Sequence, residues 1–145
     1  MDVLKTMDVV GSALTAERTR LNAVAANVAN ANVTRNADGS GPYKRQDVVL
    51  QSIPLASEFG EVLDEAQSTH TEVRVVEVRQ DPNPPRLTYN PDHPDANAEG
   101  YVAMPNVNPV AEMANMISAQ RAFDANVNVF QTTKQMALKA LEIGK

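Results

Sequence analysis

Two stretches of the chain carry residue types that could bind a metal ion. Asp92, His93 and Asp95 lie within four residues of one another, and His70 is a second imidazole. Imidazole and carboxylate groups suit several divalent ions. However, Asp, Pro and His in this order are typical of a turn, and neither histidine has a second ligand at helical spacing. The sequence therefore predicts a solvated turn here and no metal site.

The remaining candidates for chemistry are no stronger. Asp64 and Glu65 are adjacent, so their side chains diverge in a regular strand or helix and do not form an acid–base pair. No serine lies in a nucleophile elbow, no Gly-rich phosphate loop is present, and there is no cysteine. We predict neither an enzyme nor a cofactor, and a hydrolase using His93 is the last-ranked alternative.

Composition excludes further classes of protein. The 145 residues suit one compact domain. The net charge of −5 argues against a protein that binds nucleic acid or an anionic membrane surface. The longest charge-free run, residues 21–34, is too short and too polar to span a bilayer. The first residues do not resemble a cleavable signal peptide, so these features alone favour the cytoplasm.

A heptad pattern predicts a long helix at each end of the chain. The first runs from about Val3 to about Ala31, roughly 43 Å at 1.5 Å per residue, and the second follows Asn108, a capping residue, with Pro109 in its first turn. The predicted contact residues of the first helix are Met7, Leu14, Leu21, Val24 and Val28. Those of the second are Met113, Met116, Ile117, Phe123, Val127, Phe130, Leu138 and Leu141. The two helices form either a hairpin within one monomer or part of a bundle shared between subunits.

Asparagine is concentrated near these helices: ten of thirteen asparagines fall in residues 22–36 or 106–128. Asn27, Asn30, Asn32 and Thr34 follow the closing turns of the first helix, and Asn126 lies within the second. Such side chains either cap local backbone groups or bridge to a neighbouring chain, and the sequence leaves both interpretations open.

The acidic centre of the chain has a different pattern. Residues 43–55 and 71–79 are rich in β-branched residues and predict strands, and residues 59–67 predict a further strand or a short helix. Seven prolines fall in residues 81–109, which predicts an extended loop over residues 81–108. The expected fold is α+β, with terminal helical segments 1–35 and 109–145 on either side of a small β-rich segment, 36–108, in the sequence.

Several motifs of the chain resemble those of the flagella basal body rod protein family, the axial proteins of the bacterial flagellum. They are Asn27-Val28-Ala29-Asn30-Ala31-Asn32-Val33-Thr34-Arg35, Gly41-Pro42-Tyr43-Lys44-Arg45, Asn90-Pro91-Asp92-His93-Pro94-Asp95-Ala96-Asn97-Ala98-Glu99-Gly100-Tyr101-Val102 and Met104-Pro105-Asn106-Val107-Asn108. The resemblance extends to Glu112-Met113 through Ala122 and to Met136-Ala137-Leu138-Lys139-Ala140-Leu141, and it covers both ends and most of the centre. The connector Ala37-Asp38-Gly39-Ser40 is a minor departure from the pattern, which affects local loop geometry alone.

The resemblance implies a structural subunit of the proximal rod. Its terminal helices would pair as a coiled coil in the inner layer of a tube that crosses the periplasm and transmits torque, and the β-rich segment would form an outer domain. The implied partners are copies of the chain, the companion proximal-rod protein FlgB, other rod subunits, a rod–ring adaptor and the flagellar type III export apparatus, which needs no cleaved signal. The implied loop contacts with neighbours are Pro91, His93, Pro94, Asp95, Asn97 and Tyr101. This overrides the cytoplasmic expectation, and a cytoplasmic helical adaptor or chaperone-like protein is the main alternative.

Overall fold

The computed structural model describes residues 3–54 and 71–143. The predicted element at residues 59–67, the acidic pair Asp64 and Glu65, His70 and the helix-ending Gly144 all lie outside these residues. The described chain contains two long helices and four strands, which confirms an α+β fold.

Helix α1 covers Val3–Ala29 and helix α2 covers Pro109–Ile143. The start of α2 is confirmed, because the Asn108 side chain accepts hydrogen bonds from the Val110 and Ala111 amides at 3.1 and 3.4 Å. Helix α1 ends about two residues before the predicted position. Beyond Ala29 the backbone tightens into a turn in which Ala31 N–H donates to Val28 O. Neither helix is long and apolar enough to cross a membrane.

Four strands form two small sheets. Strands β1 (Gln46–Pro54) and β2 (Thr71–Gln80) are neighbours in one sheet, in line with the predicted strands. Strands β3 (Arg86–Tyr89) and β4 (Tyr101–Met104) pair antiparallel in the other, with Tyr89 opposite Tyr101.

The second sheet corrects the prediction of an extended loop over residues 81–108. The prolines of this stretch lie outside β3 and β4, so every residue of both strands keeps the amide N–H that a ladder needs. Prolines therefore delimit the hairpin strands instead of preventing them.

The described residues divide into two compact units. In one, residues 3–19, 49–54, 71–77 and 119–143 enclose Val10, Ala16 and Ala119, and the Ser12 hydroxyl accepts a hydrogen bond from the Val73 amide at 3.1 Å. In the other, residues 20–48 and 78–118 enclose small apolar side chains and two polar ones, Asn27 and Glu112. Its buried apolar side chains are Ala23, Val24, Ala31, Val102, Pro105 and Val107. Both cores consist mainly of Ala and Val, so most of the larger apolar side chains lie outside them.

Candidate assembly surfaces

Asn27, in the last turn of α1, is the centre of a buried polar cluster. Its side chain is 0% exposed. Its Nδ2 donates to the Gln46 carbonyl at 2.8 Å and to Glu112 Oε2 at 3.0 Å, and its Oδ1 accepts from the Gln46 amide at 2.8 Å and the Tyr43 hydroxyl at 3.0 Å. An amide side chain has two donors and two acceptor positions, so every one is used. We call this cluster, Asn27 with Tyr43, Arg45, Gln46 and Glu112, the polar clasp.

An ion pair completes the clasp. Glu112, 2% exposed, lies in the first turn of α2, where the helix dipole favours a carboxylate. Its Oε1 accepts from Arg45 Nε at 2.9 Å. A buried carboxylate is tolerated because its lone pairs are satisfied by charged and amide donors. The clasp thus joins the end of α1, the start of β1 and the start of α2.

The clasp also changes the acidity of its tyrosine. Burial, and then the nearby Glu112 carboxylate, raise the pKa of Tyr43 above its ordinary value of 10.0. The phenol therefore stays protonated and keeps donating to Asn27 throughout the neutral range. Because all four hydrogen-bonding positions of Asn27 are taken, the clasp is a structural joint and not a site for catalysis.

A second polar contact holds the loop between β3 and β4. Asp95 accepts from the Thr34 hydroxyl at 2.8 Å and pairs with the Arg35 guanidinium at 2.7 Å. The Asp95 amide in turn donates to His93 Nδ1 at 3.1 Å. These contacts hold the loop against the segment that follows α1. The side chains of Thr34, His93 and Asp95 therefore bond to other residues of the same chain. The described residues contain no group of three or more His, Cys, Asp or Glu side chains that could hold a metal ion.

The other residues predicted on the first helix vary in exposure. Val24 is buried, and Met7, Leu14, Leu21 and Val28 are each half-buried. Asn30 is half-buried and donates to the Ala26 carbonyl of the adjoining helix α1 at 2.8 Å, whereas Asn32 is exposed. These predicted contact residues of α1 therefore leave little large apolar surface facing solvent.

Helix α2 is more exposed. Met113, Ile117, Leu138 and Leu141 are 52%, 56%, 53% and 71% exposed, and Met116, Phe123, Asn126, Val127 and Phe130 are half-buried. Sequence reasoning missed Val110, which is 76% exposed, although it falls three residues before Met113 at helical spacing. We call Val110, Met113 and Ile117 the outer face of α2.

The loop and hairpin residues are mostly exposed as well. Pro91, Pro94 and Asn97 are exposed, and the Asn97 side chain accepts from the Glu99 and Tyr101 amides at 3.0 and 2.8 Å. Tyr101 packs edge-to-face on Tyr89, with ring centroids 5.3 Å apart. Tyr89 and Leu87, next-but-one neighbours on one face of β3, are 65% and 64% exposed and were not predicted as contacts. The alternation of Leu87, Thr88 and Tyr89 was the one sequence feature that indicated an apolar strand face here.

The sequence comparisons give the family of the chain. The family described as "Flagella basal body rod protein" matches residues 7–37, and "Flagellar basal body rod FlgEFG protein C-terminal" matches residues 98–143. The flagellar basal-body rod protein FlgC of Yersinia enterocolitica is 44% identical, and those of Bacillus subtilis and Salmonella typhimurium are each 41% identical. Each alignment covers 100% of both chains. The chain therefore belongs to the FlgC family of flagellar basal-body rod proteins, and it is a structural component of the rod and not an enzyme.

Proposed function

We propose that this chain assembles into the rod through its terminal helices, and that the rod transmits torque through the resulting contacts. In this proposal segments 1–35 and 109–145 form an inner, coiled-coil layer that walls the export channel. Segment 36–108 lies outside it, and its loop contacts neighbouring subunits. The subunits cross the periplasm as part of the rod and leave the cytoplasm without a cleaved signal peptide.

The observation that carries the proposal is the outer face of α2. Val110, Met113 and Ile117 are each more than half exposed in the free chain. At about 100° per residue they lie about 100–160° around the helix from Glu112, which is buried in this unit. The contacts within this unit therefore leave the outer face uncovered.

Burying such side chains is favourable. Removal of apolar surface from water contributes about 25 cal/mol per Å², and a fully buried Val, Ile or Met side chain contributes about 1.5–3 kcal/mol. Clustered exposed apolar residues at helical spacing are typical of a surface that binds another protein. A neighbouring subunit's helix, packed along α2, would cover them.

The proposed partners follow from family membership. They are copies of this chain, the proximal-rod protein FlgB, other rod subunits, a rod–ring adaptor and the flagellar type III export apparatus. Passage through an export apparatus as an unfolded chain is compatible with the absence of cysteine, since no disulfide has to form or break. The polar clasp and the loop contact would then re-form after export.

A matched pair of variants tests the assembly role of α2. Ile117→Asp places a charge on the outer face, whereas Ser118→Asp places the same charge on the next, also exposed, residue. In the assembled rod an uncompensated buried carboxylate is strongly unfavourable. We expect Ile117→Asp to abolish swimming and reduce the chain in purified basal bodies at least about tenfold, and Ser118→Asp to have a much smaller effect.

Circular dichroism of both purified variants checks that the helices are retained. The proposal is wrong if Ile117→Asp enters basal bodies as well as the wild type and its cells swim normally.

A further inference from the structure

His93 makes a hydrogen bond that depends on its protonation state. Its Nδ1 accepts from the Asp95 amide at 3.1 Å. Neutral imidazole has one N–H donor and one lone-pair acceptor, so in this arrangement the proton is on Nε2. Imidazolium carries a proton on both nitrogens and has no acceptor. Protonation of His93 therefore removes this hydrogen bond and places two N–H groups face to face.

The same backbone pattern occurs elsewhere with acceptors that do not change. At four other places in the described residues, three turns and the start of α2, a side-chain oxygen accepts from the amide two residues on, at 2.9–3.1 Å; the acceptors are Asp38, Asp81, Asn97 and Asn108. Near neutral pH an Asp or Asn oxygen remains an acceptor. Position 93 alone, among these five, carries an imidazole, the side-chain type whose unperturbed charge change falls between about pH 5 and pH 8.

The turn at His93 holds the loop contact described above. Asp95 receives the Thr34 hydroxyl and the Arg35 guanidinium on its carboxylate while its amide is held by His93. We propose that His93 is a proton-operated latch: neutral, it fixes the turn that directs Asp95 toward Thr34 and Arg35, and protonated, it releases that turn. This latch is independent of the assembly role proposed for the helices.

The charged groups near the imidazole do not cancel the effect. Asp92 and Asp95 belong to the same loop, and Arg35, from the segment after α1, pairs with Asp95. Attraction of an imidazolium to either carboxylate stabilises its charge but supplies no lone pair for the Asp95 N–H. The turn therefore loses its hydrogen bond even where the charge is well accommodated.

Two substitutions separate the latch from simple loop structure. His93→Asn keeps a side-chain acceptor of the kind found at the other four places, and it cannot be protonated. His93→Ala removes the acceptor. Amide hydrogen exchange of Asp95, measured by NMR on the full chain at about pH 5 and about pH 8 and corrected for the intrinsic rate, reports whether the turn is closed.

We expect the wild type to lose protection at Asp95 by roughly fivefold between about pH 8 and about pH 5, the equilibrium effect of one hydrogen bond. The Asn variant should be protected at both pH values and the Ala variant at neither. Equal wild-type protection at both pH values would overturn the latch, and so would an Ala variant as well protected as the wild type at about pH 8.

Discussion

Substitution of Asn27 tests whether the polar clasp determines the stability of its unit. In Asn27→Ala, four hydrogen bonds of 2.8–3.0 Å are lost from a side chain with no solvent exposure. At about 1 kcal/mol net for each bond the loss is about 4 kcal/mol. Alanine is the better helix former by about 0.6 kcal/mol. The expected loss of unfolding free energy is therefore about 3 kcal/mol.

Asn27→Asp makes the same test more specific. The change preserves the size of the side chain and both hydrogen bonds that it accepts, but it removes the two that it donates. It also places a second carboxylate oxygen where Asn27 Nδ2 lies 3.0 Å from Glu112 Oε2 in the wild type. Like charges at this distance in a buried site are strongly unfavourable. At neutral pH the Asp variant should be at least as destabilised as the Ala variant.

Urea denaturation followed by circular dichroism measures these changes, and amide exchange of Gln46 shows whether the clasp itself has opened. The control is Asn30→Ala: among the described residues the Asn30 side chain donates to Ala26 O of the adjoining helix α1, four positions away, so this variant should stay within about 0.5 kcal/mol of the wild type. The reasoning is refuted if both Asn27 variants also unfold within about 1 kcal/mol of the wild type.

Two further changes test local features. Burial and Glu112 raise the pKa of Tyr43 in the folded chain. The stabilising contribution of this residue is therefore complete below about pH 10 and is lost as the pH rises through the folded-state pKa. Urea midpoints measured from neutral to alkaline pH should show this decline in the wild type and not in Tyr43→Phe. Gly100 has φ +82°, and an added Cβ would lie 2.9 Å from Tyr89 Cε2, so Gly100→Ala should cost about 2 kcal/mol or more. At Gly39, φ +75°, an added Cβ would lie more than 4 Å from every described heavy atom beyond its chain neighbours, so Gly39→Ala should cost about 1 kcal/mol, and equal thermal shifts for the two variants would contradict this account.

Local sequence patterns were sufficient to predict both helices and the residue at which α2 begins. The heptad spacing predicted both long helices, and Asn108 and Pro109 predicted the start of α2 to the residue. These features depend on neighbours within a few positions, so a single sequence contains them. The strands β1 and β2 were predicted for the same reason, from β-branched runs bounded by polar residues.

Features that depend on distant residues were not predicted. The proline-rich stretch concealed β3 and β4 because each is four residues long, too short for a clear alternation. Asn27 was expected to cap its helix or bridge to another chain, but it bonds to residues 16, 19 and 85 positions away in its own chain. Glu112 gave one signal, as a lone charge in residues 100–120, a stretch that is otherwise uncharged.

Accessibility of the outer face of α2, before and after assembly, tests the proposed role most directly. The chain has no cysteine, so Ile117→Cys introduces the only thiol, at a position 56% exposed in the free chain. We predict that a maleimide modifies this thiol rapidly in the purified monomer and again after basal bodies are denatured, but at least about tenfold more slowly in intact basal bodies. Equal rates in the monomer and in intact basal bodies would contradict the proposal that neighbouring subunits cover α2.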